Sequence, residues 1–389
     1  MLEERFNNDV YIRAPRGWMK ELAKNLNCSY TKKSKTMFKN ERILSFQGFF
    51  SFIFSMYKKT PLPPIEWFID YSTLCPDSKK SNFIIDCGSK LIKTRKNYVS
   101  YVENGLGLFG FNTIKLNYIN FFLFKNKIKK ENFKGFVFYS KAARESTKRI
   151  FLEMGCIHLF FIKDLGIVYP YTSDSYSNFN KYDSGTFNIL FCSSSFNLKG
   201  GREVVESITE LLDEFKIELT VVSDLKSKEL DKYRELKFVR FLDFKLSPEE
   251  FNEVMSKHHM VIHPTYFDTH ALALLEGLKS HLPGISTNTF AISEYIINGY
   301  NGILLTNPCQ PYGHRFSPNF RGEPLNFAES LMDNDLSFKL KSDLTVSIRQ
   351  MILNYDEYYS NNIDFFDNSE FSEFLITNKW KEIIRDLKS

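Results

Sequence analysis

Residues 263–305 read HPTYFDTHALALLEGLKSHLPGISTNTFAISEYIINGYNGILL, and the rest of the chain is arranged around them. Asp268 stands in a loop beside Tyr266 and Thr269; Glu276, with seven residues between, interrupts the apolar run ALALLEGL. That run has the spacing of a helix packed on a sheet. An ionised carboxylate is costly on such a surface unless something binds it. An amphipathic helix with one solvated face would accommodate Glu276 equally well. The next residues tip the balance toward a site. Residues 283–287 read as a short buried strand, and NGYNGILL as a turn feeding another.

A chain of 389 residues, 43% of them hydrophobic, can build two domains with substantial cores. Its six cysteines (28, 75, 87, 156, 192 and 309) contain no C-x-x-C pair, and no signal peptide precedes them. Reduced thiols in a cytoplasmic protein are therefore expected, with neither a disulfide framework nor a zinc site. The net charge of +5 hides an asymmetry. Residues 1–180 carry 29 Lys/Arg against 15 Asp/Glu, a balance of +14; residues 181–389 carry 22 against 31, a balance of −9. A basic half joined to an acidic half implies different partners. No nucleic-acid motif accompanies the charge, so an anionic membrane surface or an acidic acceptor is favoured over nucleic acid.

In the first half, residues 9–13 read as a strand and 17–26 as a helix after an APRG turn. Residues 43–57 form a Phe-rich apolar run, shorter than the about 20 residues needed to cross a bilayer; a core helix is the leading expectation and an interfacial helix the second. Residues 81–87 and 97–103 look like consecutive buried strands. Glu103 ends the second, where the carboxyl ends of parallel strands line a crevice; an ordinary strand-ending acid in a turn explains it equally well. Residues 115–130, KLNYINFFLFKNKIKK, alternate lysine with apolar residues. An ordinary amphipathic helix with solvated lysines is the favoured reading, and a basic, aromatic-rimmed membrane surface the other. A strand at 134–140, a helix after it and a strand at 166–171 lead to a polar linker at 173–184.

The second half opens with a strand at 187–192. Lys199-Gly200-Gly201 stands at the entrance of the following helix, where backbone amides and the helix dipole favour a phosphate and Lys199 adds a full charge. Strands at 217–222 and 239–244 follow, and Phe244 is expected in the core. Ser247-Pro248-Glu249-Glu250 has the form of a helix start with a capping box. His258, His259 and His263 cluster in sequence, but strand and helix ends explain them better than metal ligation. Helices are expected near 336–354 and 372–387.

With these residues in place, the chain resembles the retaining glycosyltransferases of the GT-B fold, the "glycosyl transferases group 1" family. The family pattern is an acid, Gly-Phe-Gly-Leu-x-x-x-Glu, a Gly-x-Pro strand and an Asn-Gly turn; here Asp268-Thr-His-Ala-Leu-Ala-Leu-Leu-Glu276, Leu282-Pro283 and Asn301-Gly302 stand in those places. The resemblance covers residues 130–389 well and 1–129 poorly. It implies an α/β chain of two Rossmann-like domains with a cleft between them: an acceptor-binding domain at 1–180, a donor-binding domain at 181–365, and a C-terminal helix at 366–389 crossing back to the first. Trp380 matches a tryptophan frequent in that helix.

The resemblance further implies a nucleotide-sugar donor, a glycan or lipid-linked acceptor and no catalytic metal. Glu276 would bind the ribose hydroxyls, Asp268 the transferred sugar, and Glu103 would stand near that sugar. Lys199, Gly200 and the amides of His270, Ala271 and Leu272 would face the diphosphate. Ser194 occupies the place of a usual arginine, so Arg202 or Lys245 would have to supply the second cation; Phe244 would lie near the base. The enzyme would be cytoplasmic, or peripheral at the inner face of the membrane. A non-catalytic scaffold or partner subunit is the alternative, followed by another GT-B activity such as an epimerase.

Overall fold

A computed structural model describes residues 9–13, 19–30, 56–68, 81–172, 185–331, 334–367 and 369–388. The APRG turn, most of the Phe-rich run at 43–57, Cys75 and the linker at 173–184 lie outside the described residues. The chain divides into two compact units. One comprises residues 1–171, 314–324 and 374–389; the other comprises 172–313 and 325–373. Residues 314–324, which the sequence reading leaves in the second half, group with the first unit.

The first unit is a six-stranded parallel sheet in the order β2-β1-β3-β4-β5-β6. The strands are β1 (Val10–Arg13), β2 (Ser29–Tyr30), β3 (Phe83–Asp86), β4 (Asn97–Val102), β5 (Phe133–Phe138) and β6 (Asp164–Ile167). The inner strands β1, β3, β4 and β5 are buried on both faces and carry near-continuous apolar runs, whereas the edge strands β2 and β6 are only partly buried. Phenylalanines fill the space between sheet and helices. Phe124 meets Phe109, Phe136 and Phe151 at centroid distances of 5.1, 6.4 and 5.5 Å. The terminal helix Glu373–Lys388 supplies fully buried Trp380, edge-on to Tyr101 of β4 at 4.9 Å, and Lys388 pairs with Asp9.

The 115–130 segment departs from the solvated-lysine expectation. The helix runs Tyr118–Ile128, and Lys115 before it is buried. Its ammonium donates to the carbonyls of Tyr57, Thr60 and Leu62 at 3.3, 2.9 and 2.6 Å. Asn117 and Asn120 both donate to Pro61 O. These donors replace the water that the proline-rich turn would otherwise need, because buried carbonyls must be matched. Lys125 and Lys127 likewise donate to the carbonyls of Met154 and Trp67. Burial lowers the Lys127 ammonium to about 8.

The second unit is another parallel sheet, in the order β12-β11-β10-β7-β8-β9. Its strands are β7 (Phe187–Cys192), β8 (Ile217–Ser223), β9 (Val239–Asp243), β10 (Met260–His263), β11 (Gly284–Asn288) and β12 (Gly302–Thr306). Strand order reverses between β7 and β10, and such a reversal opens a crevice at the strands' carboxyl ends. Helices Gly201–Leu211 and Leu272–Lys279 follow the two strands that flank it. The expected capping box at Ser247 forms, Ser247 accepting from the Glu250 amide and Glu250 from the Ser247 amide.

Lys279, at the end of the Leu272–Lys279 helix, is buried and donates to Thr172 O at 2.7 Å and Phe371 O at 2.9 Å. One side chain thus holds the beginning and the end of this unit to the helix that carries Glu276. Helix Tyr355–Asp367 has no counterpart in the sequence reading, because its polar run YDEYYSNN hides the apolar period.

Candidate donor site

Two loops meet at the reversal point, one after β7 and one after β10. The first ends at Gly200, with φ of +78°, where an added Cβ would lie 2.3 Å from Pro264 O. Glycine is required there for both reasons, the positive φ and the close approach. The loops are joined by Tyr266 N donating to Leu198 O at 3.1 Å. Behind them, Asn307 donates to the carbonyls of Thr265 and Tyr266, and Ser286 to His263 O.

Lys199 and Asp268 face each other across this junction. The Lys199 ammonium lies 2.7 Å from Asp268 Oδ2 and also donates to Phe267 O. His263 Nε2 is 3.0 Å from the same carboxylate oxygen. Asp268 Oδ1 accepts from the amides of Thr269, His270 and Ala271 at 2.8, 3.1 and 3.0 Å. Burial alone would raise the Asp268 carboxyl, but the charge of Lys199 and the bond from His263 hold it well below the usual carboxylate range. Burial lowers the His263 ring, with Asp268 opposing only in part. The ring is therefore neutral near pH 7, with its Nε2 proton on the carboxylate.

This arrangement changes the expected supply of anion-binding groups. The amides of His270 and Ala271 serve Asp268, so those at the following helix start, Leu272 and Ala273, remain directed out of the first turn. Ala271 takes the left-handed conformation (φ 41°) that aims this start, and Tyr295 fixes it by donating to His270 O.

Glu276 lies one turn further along the helix. Its side chain is half-buried, and among the described residues no hydrogen bond or ion pair engages its carboxyl. Burial pushes the carboxyl up to about 7, with the Lys279 charge opposing. It stands close enough to Cys192, at the end of β7, to help raise that thiol, after burial.

The remaining expected residues are spread around this centre. Ser194 is exposed in the loop after β7. Arg202 does not turn toward Lys199; its Nε donates to Glu203 at 2.9 Å. Glu203 is fully buried and also accepts from Tyr266 and Ser337. Phe244 is not in the core: it is 45% exposed, because β9 is an edge strand and ends at Asp243. Lys245 is exposed beside it, with no ion pair among the described residues. Glu103 belongs to the first unit; it directly follows β4, is buried, and its amide donates to Ser89. The clustered histidines serve separate partners, His258 bonding Val254 O and His259 accepting from Asn188 N. Sequence reading missed His263 as a partner of Asp268, and Tyr266 and Ser337 as partners of Glu203. Only His263 carried a signal, a histidine ending an apolar strand five residues before Asp268.

Residues 186–311 match the family described as Glycosyl transferases group 1. No curated protein matches the chain in sequence. Among solved structures, Anabaena Alr3699/HepE, in complex with UDP and glucose, is 12% identical with a TM-score of 0.56, over 97% of this chain and 99% of that one. WaaG, a glycosyltransferase involved in lipopolysaccharide biosynthesis, gives 12% and 0.56 over 96% and 99%. The lipopolysaccharide outer core galactosyltransferase WaaB gives 13% and 0.52 over 97% and 99%. At this identity the likeness concerns the fold, and the fold is GT-B: two parallel six-stranded α/β units with both sheets helix-covered. The residues that match the family include the loops that carry Lys199 and Asp268 and the helix that carries Glu276.

Proposed function

We propose that the chain is a retaining glycosyltransferase, moving a sugar from a nucleotide-sugar donor to a glycan or lipid-linked acceptor without a catalytic metal. The observation that carries this reading is Glu276, a half-buried carboxyl with no hydrogen-bond partner among the described residues, at a switch-point crevice. The paired hydroxyls of a ribose are the ligand it fits. HepE is described with UDP-glucose bound, which supports a sugar nucleotide as the donor class. A non-catalytic scaffold would have no use for a carboxylate kept costly in this way.

In this mechanism Lys199 and the amides starting the Leu272–Lys279 helix stabilise the charge that grows on the departing diphosphate. The acceptor hydroxyl attacks from the leaving group's side and passes its proton to the phosphate, so no protein nucleophile is required. The test is to follow nucleoside diphosphate release from a panel of sugar nucleotides, with and without a chelator. Release unchanged by chelation and abolished in Glu276→Ala is expected. Release that requires added divalent metal would reject the metal-independent mechanism.

The acceptor side of the reading rests on the first unit. Helix Tyr118–Ile128 leaves Tyr118, Ile119 and Phe122 exposed by 85, 67 and 58%, and Lys58, Lys59, Lys129 and Lys130 are exposed as well. Among the described residues no helix is long and apolar enough to cross a membrane. Apolar and basic side chains exposed together suit the headgroup layer of an anionic bilayer. Binding to vesicles is expected to require anionic lipid, to weaken with salt, and to fall in Ile119→Ser/Phe122→Ser. Equal binding to neutral vesicles, or none to either, would remove the membrane from the account.

A further inference from the structure

The Asp268 carboxylate receives five donors: three backbone amides on Oδ1, and Lys199 and His263 on Oδ2. A carboxylate offers about four lone-pair directions. Its side chain is only 17% exposed, and its two oxygens are turned into the loop and toward Lys199. No acceptor capacity is left for the hydroxyls of a sugar. Lys199 is differently placed. Among the described residues two of its three ammonium protons are used, on Asp268 and on Phe267 O, and one remains.

We propose that Asp268 is a positioning residue for the diphosphate rather than a contact to the transferred sugar. It fixes the Lys199 ammonium against the junction of the two loops. Through its other oxygen it gathers the amides of 269–271, so that the chain turns into the Leu272–Lys279 helix with its first free amides facing the crevice. The aspartate is one methylene shorter than a glutamate, and that length keeps its carboxylate within reach of three successive amides. His263 completes the set from the end of β10. It holds the carboxylate with a neutral ring, so that the cluster of Lys199, Asp268 and His263 carries no net charge before a ligand arrives.

The inference rests on the donor-site reading above, because it assigns the diphosphate to Lys199. A bare nucleoside diphosphate separates the alternatives, since it has no sugar for a sugar contact to lose. Asp268→Asn keeps an acceptor for the three amides but turns an amide group toward Lys199 and His263, which are both donors. The ammonium is then driven from its place. Binding of UDP, GDP, ADP and CDP to the full chain is measured by calorimetry in the wild type, Asp268→Asn, Lys199→Ala and the double variant. For the diphosphate that binds tightest, the expected loss in Asp268→Asn is roughly tenfold, the scale of one charge-assisted hydrogen bond. The double variant is expected to bind no worse than Lys199→Ala alone, because both changes remove the same contact. Should Asp268→Asn fail to fold, Asp268→Ser provides a short capping oxygen without charge and takes its place. Unchanged or tighter binding of the bare diphosphate in a folded Asp268 variant overturns the proposal, as does a fully additive double variant. A wild type that binds none of the four diphosphates overturns the donor-site reading itself, and this inference with it.

Discussion

Glu276→Gln is expected to make the empty protein more stable and its nucleotide complex weaker. Burial pushes the Glu276 carboxyl up to about 7. Between the ordinary carboxylate range and that value, the folded chain holds a proton that the unfolded chain has released. Stability therefore falls as pH rises through this window, and the penalty is complete above about pH 7. The glutamine carries no charge to desolvate, so the variant gains roughly 1–2 kcal/mol at pH 8 and little at pH 4. Thermal unfolding across that range measures it. Nucleotide affinity moves the other way. Hydroxyls bond best to the ionised form, so wild-type affinity rises over about pH 6–8, and Glu276→Gln flattens the rise. Glu276→Ala removes both ribose bonds and should cost about a hundredfold or more. An Ala variant that folds and binds nucleotide like the wild type would reject the ribose role.

The second large effect separates three cations that sequence alone treats alike. Lys199, Arg202 and Lys245 are all within a few residues of a strand end, and each is a candidate for the charge that Ser194 does not supply. The structure distinguishes them by what they already hold. Arg202 is the counter-charge of fully buried Glu203, whose other donors are the hydroxyls of Tyr266 and Ser337. Removing one member of a buried pair strands the other charge, at about 3–5 kcal/mol. Arg202→Ala should therefore appear chiefly as lost stability, read by denaturant unfolding. Lys199→Ala also takes a cation from the largely buried Asp268 and so costs some stability, but it is distinguished by lowering the affinity for a nucleoside diphosphate far more than for the bare nucleoside. Lys245 is exposed and unpaired among the described residues, so Lys245→Ala should lower diphosphate affinity modestly and in a salt-dependent way. An Arg202→Ala protein of normal stability with lost diphosphate binding would reverse this assignment.

The sequence made the architecture of the second unit legible because its strands are short, apolar and regularly spaced by helices with readable starts. Ser247 and its capping box, the Gly200-Gly201 entrance and the Glu276 position are all local features, and local chemistry is written in adjacent residues. What it hid was contact between distant segments. Lys115 looked like one lysine in a basic run, and only the approach of the Pro61 turn makes it a buried clamp. Asp268 and Lys199 read as two ligands for two parts of a donor. Sixty-nine residues apart, they bind each other. Phe244 looked like core because phenylalanine usually is; its place after an edge strand decided otherwise. Arg202 has the right helical spacing to reach Lys199, but the neighbouring Glu203 is buried and takes it.

The central claim is that the junction of the loops after β7 and β10, with Glu276 beside it, binds a nucleoside diphosphate. Its most direct test is thermal unfolding of the wild type and Glu276→Ala in the presence of UDP, GDP, ADP and CDP. At 100 times its dissociation constant, the right diphosphate should stabilise the wild type by about 2.7 kcal/mol, and the variant hardly at all. Equal stabilisation of both proteins, or of neither by any of the four, would contradict it.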